Sequence, residues 1–286
     1  MKKIFFPFEL NNPVYREAYV YAIKFARNVN AGLIILNTFK LDVGDDITQE
    51  KYDHLKKQNW IKAYNQISAF NKYYLEDNAS VYSDLKIRFD YRFIYGIYAD
   101  EIRNIAREET VDLMVLPTSE NKEFNKRQLR IISDNVFEKN RISLLVIPQP
   151  LKYSDIKKIV FATDWRKLNQ YKQYINEVIH YASVFDSDIH FLHISPSEKA
   201  AAWEDSETFQ LLKEVIEQNN RHSFQSIYGK DVIESVNHYV LEHQADLLVV
   251  VKHQHYFHET LFHESISKKI SLNSKVPVMI MREKGD

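Results

Sequence analysis

Four histidines lie close together near the end of the chain, at His253, His255, His258 and His263. Imidazole nitrogens bind zinc and other transition metals, so this stretch is a candidate metal site. The spacing follows no regular ligand pattern, and the sequence has no cysteine that could complete one. We therefore interpret the stretch as a polar surface loop. A metal or small-molecule sensor that uses the His253–His263 loop is the alternative.

Other catalytic chemistry finds no support in the sequence. It contains no Gly-x-x-x-x-Gly-Lys phosphate loop, no Gly-x-Gly-x-x-Gly and no Gly-x-Ser-x-Gly. The absence of cysteine excludes thiol catalysis and disulfides. Paired carboxylates such as Asp45-Asp46 and Glu108-Glu109 are typical of solvated surfaces and helix ends. No catalytic constellation results, and we expect a protein that is not an enzyme.

The composition is that of an ordinary globular protein. Of the 286 residues 45% are hydrophobic and 27% charged, and the formal net charge is −1. This balance lacks the basic excess typical of nucleic-acid-binding proteins, and no apolar run reaches the length of a membrane span. The first apolar run ends at Glu9 without a small-residue cleavage site, so no signal peptide is expected. We expect a cytoplasmic protein with neither nucleic acid nor membrane as a partner.

An internal duplication organises the chain. Val111–Pro148 and Ala245–Arg282 align at both ends at one constant spacing without a gap, and Asp112 then matches Asp246. Each copy has a buried apolar run, a polar loop, a helical stretch and a second apolar run. A self-similar pattern of this kind indicates two copies of one fold.

The elements before each copy repeat as well. Apolar runs at Lys2–Phe8 and Lys157–Asp164 predict a first strand in each half. The helix that follows has apolar residues at spacings 0, 3, 4 and 7, from Tyr19 to Ala26 in the first half. Third strands are predicted near Leu85–Phe93 and Ser223–Ile227. The first half alone has a long aromatic-rich helical segment, at Ile47–Leu75, which is a candidate surface for a partner.

Alternation of strands and helices predicts the fold class. Near-continuous apolar strands separated by helices favour an α/β architecture, in which a parallel sheet is covered on both faces. The duplication therefore predicts two doubly wound sheets. Pro148-Gln149-Pro150 disfavours a helix at the join, so we expect domains at 1–150 and 151–286.

The order of these features resembles the universal stress protein family, and the whole chain resembles a tandem member of it. The resemblance depends on Lys-Ile-Val-Phe-Ala-Thr-Asp at 158–164, His193, Gly229 and the apolar runs at 245–250 and 276–280. It implies the adenine nucleotide alpha hydrolase-like variety of the Rossmann-like fold. Each domain would then have five parallel strands in the order 3-2-1-4-5.

The resemblance also implies how last strands pair. Members of the family commonly dimerise by pairing their last strands antiparallel. In a tandem chain this implies intramolecular pairing of the two domains through Leu144–Ile147 and Val278–Met281. A homodimer is the other arrangement.

The resemblance also implies where a nucleotide-binding motif would lie in this sequence. Members that bind ATP have three glycines and a Ser or Thr after the fourth strand, where the backbone and helix amides can approach phosphates. The equivalent positions here hold no glycine: Pro117, Glu120 and Arg130 in the first half, and Val251, Gln254 and Glu264 in the second. Ser265 retains the hydroxyl. Asp164 matches the acidic residue at the end of the first strand, where an N-cap or turn role fits equally well. Glu9 is the longer counterpart of Asp164.

We therefore expect a non-enzymatic, cytoplasmic stress-response protein that acts through protein or small-ligand contacts and has no cofactor. The alternative is an ATP- or ADP-binding switch, or a weak ATPase, that uses Asp164 and Ser265 of the second domain. Zinc is the less favoured ligand.

Overall fold

The computed structural model describes residues 2–39, 47–76, 87–132, 142–162, 168–195, 213, 221–252 and 274–282. The chain forms two compact units, Met1–Ile142 and Ser143–Asp286. This division counts the strand Ser143–Pro148 with the second unit, and the sequence-based boundary lies shortly after it, at about residue 150. Each unit is an α/β structure, as predicted.

In its described residues, the first unit has four parallel strands in the order β3-β2-β1-β4. They are β1 (Lys3–Pro7), β2 (Gly32–Phe39), β3 (Phe89–Tyr95) and β4 (Leu113–Thr118). In the register of the sheet, Phe5 of β1 lies opposite Ile34 of β2 and Met114 of β4. β1 and β4 are buried along almost their whole length, as expected of parallel strands covered on both faces.

The helices described with this sheet are α1 (Val14–Asn28), α2 (Gln49–Glu76), α3 (Tyr98–Glu108) and α4 (Lys122–Ile132). α1 buries the apolar stripe predicted from Tyr19 to Ala26, and the stripe continues one turn earlier to Tyr15. The long helical segment predicted at Ile47–Leu75 is confirmed as α2. Among the described residues, no helix combines the length and apolar character needed to cross a bilayer.

Where the structure describes it, the second unit has six strands in the order β5-β10-β9-β6-β7-β8. They are β5 (Ser143–Pro148), β6 (Lys158–Ala162), β7 (Asp188–Ser195), β8 (His222–Tyr228), β9 (Leu247–Lys252) and β10 (Val278–Arg282). The five strands from β6 to β10 are parallel and follow the predicted order 3-2-1-4-5. β5 is antiparallel to β10, with Val146 opposite Val278. The helices are α5 (Leu168–Phe185) and α6 (Val232–Glu242).

Matching residues of the duplication make matching contacts. Asp112 precedes β4, and its Oδ2 accepts a hydrogen bond of 2.8 Å from the backbone amide of Lys3 at the start of β1. Asp246 precedes β9, and its Oδ2 accepts bonds of 2.9 Å from the amides of Lys157 and Lys158. In both units, therefore, the matching aspartate accepts hydrogen bonds from backbone amides at the start of the first strand.

The third strand of the first unit overlaps the one predicted near Leu85–Phe93. It runs from Phe89 to Tyr95, two residues past the predicted end, and residues 85 and 86 lie outside the described part of the chain. Among the described strands β3 pairs with β2 alone, and it is only partly buried, so its pairing with β2 determines where it begins. Leu33 of β2, for example, lies opposite Phe89. The local apolar pattern does not contain that information.

Candidate functional site

The site to consider in the first unit lies where β1 and β4 end. Ligands of open α/β sheets bind at the carboxyl ends of the strands, at the point where the strand order reverses. In the order β3-β2-β1-β4 that point lies between β1 and β4. Phe8 and Glu9 follow β1, and Ser119 follows β4. We refer to this region as the β1–β4 crevice.

Side chains from three helices fill the β1–β4 crevice. The Tyr15 hydroxyl accepts a hydrogen bond of 2.7 Å from Nε2 of Gln128, and it lies 2.8 Å from the Tyr98 hydroxyl. Tyr98 in turn donates to the carbonyl of Pro7, at 3.3 Å. Tyr15 and Gln128 are fully buried. The bonds form one chain from α4 through α1 and α3 to the end of β1.

Protonation keeps this chain neutral. Burial, followed by the Glu9 carboxylate, raises the pKa of Tyr15 well above its usual value. Burial and the neighbouring Tyr15 do the same to the pKa of Tyr98. Both phenols therefore keep their protons at neutral pH and cannot act as anionic ligands or bases there. The arrangement is suited to packing and hydrogen bonding rather than to proton transfer.

An ion pair covers the outer side of the crevice. A guanidinium nitrogen of Arg127 lies 2.8 Å from Oε1 of Glu9. The same guanidinium lies over the rings of Phe124 and Tyr98, at 5.3 and 5.8 Å from their centroids. Asn12 donates a further hydrogen bond of 3.3 Å to Glu9. Glu9, the counterpart of Asp164 in the first unit, is thus already bound by side chains of the protein itself.

The loop between β4 and α4 is closed in a similar way. Oδ1 of Asn121 accepts hydrogen bonds of 2.9 and 3.0 Å from the amides of Glu123 and Phe124. Asn125 accepts from the amide of Ser119 at 2.9 Å and donates to its carbonyl. Amides at the start of a helix are the groups that bind phosphate in nucleotide sites. Here a side-chain cap already occupies them.

The predicted glycine positions carry side chains where the structure describes them. Pro117 is buried in β4, Glu120 is exposed in the loop, and Val251 is buried in β9 with 3% of its surface accessible. The side chain of Arg130 lies outside the described residues, as do Gln254 and Glu264.

The other sequence-predicted site residues fall outside the described part of the chain. They are Asp164, Ser265 and the His253–His263 loop. Within the described ranges, no group of three or more His, Asp or Glu side chains is arranged to hold a metal ion.

The residues that fill the crevice were not singled out from the sequence. Tyr15 could have been found, because it lies four positions before Tyr19 and extends the buried stripe of α1 to the crevice. Gln128 and Arg127 gave no such signal. They are polar residues of an amphipathic helix, and their partners lie more than a hundred positions away.

Comparison with known proteins identifies the fold of the second unit. A model of the universal stress protein family matches residues 155–282. The second half of the chain is thus similar to a universal stress protein domain. The match covers the strands β6 to β10, whose 3-2-1-4-5 order was described above. A comparison with curated proteins found no significant sequence match.

Solved structures extend the likeness to the whole chain. A universal stress protein from Archaeoglobus fulgidus superimposes with a TM-score of 0.66 at 13% identity, over 99% of this chain and 98% of that one. A functionally unknown protein from Pseudomonas aeruginosa has a TM-score of 0.60 at 9% identity, over 99% and 93%. The cytoplasmic domain of a prokaryotic cation chloride cotransporter has a TM-score of 0.60 at 10% identity, over 99% and 96%. At these identities the likeness shows a shared fold.

Proposed function

We propose that this chain is a non-enzymatic, cytoplasmic stress-response protein that acts through contacts with proteins or small ligands and needs no cofactor. The universal stress protein domain supports the stress-response role. The observation that carries the finer proposal is the filled β1–β4 crevice of the first unit. Tyr15, Tyr98 and Gln128 are bonded to one another at the carboxyl ends of the strands, where open α/β sheets bind their ligands.

The cost of emptying the crevice supports this proposal. A nucleotide could enter only if Tyr15, Tyr98 and Gln128 gave up their bonds to one another. Each buried polar group left without a partner costs about 1–3 kcal/mol. The Glu9 carboxylate would also have to give up its ion pair with Arg127 and its hydrogen bond from Asn12 before it could contact a nucleotide. The free energy of nucleotide binding in this unit would have to exceed the sum of these costs.

The pairing of β5 with β10 supports a second part of the proposal. β10 is the last strand of the universal stress protein domain, and its edge is covered by Ser143–Pro148 of the same chain. We infer that this edge needs no second copy of the protein. A monomer in light scattering is expected, and a dimer that dissociates on disruption of β10 would contradict the inference.

Native mass spectrometry of the untagged protein tests the cofactor-free proposal. We expect the mass of the bare chain, with no nucleotide or zinc retained after gentle desalting. An adenine nucleotide at near-equal stoichiometry would overturn it. Asp164→Ala and Arg127→Ala variants would then assign the ligand to the second or the first unit. Loss of the nucleotide in Asp164→Ala alone would favour a nucleotide switch in the universal stress protein domain.

A further inference from the structure

The outer face of α2 in the first unit is unusual for a surface helix. Its inner face packs against the unit through Ala63 and Ile67, which are almost completely buried. Yet Trp60, Ile61 and Tyr64 are each 44% exposed. These are three large apolar side chains within two helical turns, and each keeps almost half of its surface accessible. Exposed apolar groups clustered in this way mark interaction sites more often than isolated ones do.

The two aromatic side chains of this cluster are held in place. The rings of Trp60 and Tyr64 are stacked, with 5.5 Å between centroids and 4° between planes. Both rings meet the ring of Phe93 from β3 edge-on, at centroid distances of 5.5 and 6.4 Å. A rigid aromatic pair loses little conformational entropy when a partner binds, and Trp and Tyr are typical anchors of protein interfaces.

Positive charge surrounds the cluster. From Leu55 to Leu75 the helix has four lysines and no acidic residue, although the whole chain has a net charge of −1. The lysines are exposed, and they are Lys56, Lys57, Lys62 and Lys72. None of the ion pairs between described side chains involves Lys56, Lys57 or Lys62. The face therefore offers cations that no described side chain of the protein neutralises.

Amide side chains complete the surface. A shallow groove beside Ile61 is lined by Gln58, Ile61, Lys62, Asn65, Gln66 and Ala69. Amide groups bind carboxylates and backbone groups of proteins well, but burying them in lipid without partners is costly. The stacked pair also offers less free ring surface to nucleobases than single exposed rings would, because each ring covers one face of the other. A protein partner fits these features better than a bilayer or a nucleic acid.

We propose that the α2 face, defined as Lys57, Trp60, Ile61, Lys62 and Tyr64, binds an acidic amphipathic segment of a protein partner. Apolar side chains of that segment would contact Ile61 and the aromatic pair, and its carboxylates would pair with the lysines. This inference rests on the proposed function in one respect, because it names the chemical class of the protein contacts. It does not depend on the state of the β1–β4 crevice.

A synthetic probe allows a direct test with the full-length chain. The probe is a fluorescein-labelled amphipathic peptide of about 16 residues, with leucine at helical spacing and glutamate elsewhere. Fluorescence anisotropy should show saturable binding that weakens as salt rises from about 50 to about 300 mM. The same peptide with lysine in place of glutamate should not bind. We also expect no binding of an oligothymidylate or of vesicles that contain anionic lipid.

Variants connect the binding to the α2 face. We expect K57E/K62E to weaken acidic-peptide binding roughly tenfold or more. Ile61→Gln should also weaken it and, being exposed, should not disturb folding. K230E/K275E is the matched control, since both lysines are exposed residues of the second unit, and it should bind as the parent does.

Three outcomes would overturn the proposal: no saturable binding of the acidic peptide, equal binding by K57E/K62E and the parent, or preference for the oligonucleotide or the vesicles. The nucleotide content of the purified chain tests the proposed function separately, so failure of one is distinguishable from failure of the other.

Discussion

Arg127 of α4 forms an ion pair with Glu9, two positions after the end of β1, with 2.8 Å between a guanidinium nitrogen and Oε1. The guanidinium is also positioned over the rings of Tyr98 and Phe124. The acidic position at the end of the first strand is therefore neutralised by the protein itself. In the first unit this position contributes to stability, and the contacts around it can be tested one at a time.

Replacement of Arg127 by alanine should lower the free energy of unfolding by about 1 kcal/mol, because both partners are partly exposed and solvent screens the pair. Urea denaturation measures this. Lys126→Ala is the matched control: its ion pair with Glu123 lies on the exposed side of the same helix, so its loss should be below about 0.5 kcal/mol. Equal losses in the two variants would contradict a specific role for the pair with Glu9.

Tyr15→Phe should leave Nε2 of Gln128 buried without its acceptor, at a cost of about 1–3 kcal/mol. The double variant Tyr15→Phe/Gln128→Leu removes both polar partners. It should lose less stability than the sum of the two single variants, because no donor is then left unsatisfied. Chemical denaturation of the parent, the two single variants and the double variant gives the coupling energy between the two side chains. Additive losses would mean that the two side chains are not coupled.

Gly229 and Gly96 are matching residues that precede α6 and α3, yet they should respond differently to alanine. A methyl group at Gly229 would overlap the Ser235 side chain, including its Cβ at 2.9 Å. At Gly96 it would meet only the flexible side chain of Glu101. We expect a loss of about 1–3 kcal/mol for Gly229→Ala and a smaller one for Gly96→Ala. Thermal unfolding would compare them, and the reverse order would show that the Gly229 contact is unimportant.

The second unit should lose stability as the pH falls below about 6.5, because His190 then becomes protonated in the unfolded chain. Burial, then Lys158 and His243, lowers the pKa of His190, and Asp188 only partly opposes them. The unfolded chain therefore takes up this proton first. The stability contribution is complete above the unfolded-state pKa of about 6.5, and it is lost as the pH falls from there toward the folded-state pKa.

Urea midpoints measured from about pH 7.5 to about pH 5.5 test this titration. We expect His190→Gln to flatten the pH dependence. His180→Gln, at an exposed position of α5, should leave the dependence in place. A parent protein with constant midpoints across this range would contradict the assignment.

The sequence was sufficient for the fold because its signals are local or repeated. Apolar runs and the stripe from Tyr19 to Ala26 predicted strands and a helix, and the match of Asp112 with Asp246 predicted two copies. Contacts between residues far apart in the sequence could not be predicted from such patterns. Gln128 meets Tyr15 only because α4 and α1 are brought to the same end of the sheet, and no local pattern contains that information.

Isothermal titration calorimetry of the intact chain with ATP and magnesium shows whether the first unit is closed to nucleotides. We expect no saturable heat up to about 1 mM ATP, and the same for Arg127→Ala, whose crevice is still occupied by Tyr15, Tyr98 and Gln128. One-to-one binding with a Kd below about 10 μM that Arg127→Ala abolishes would contradict it, because the first unit would then hold a nucleotide.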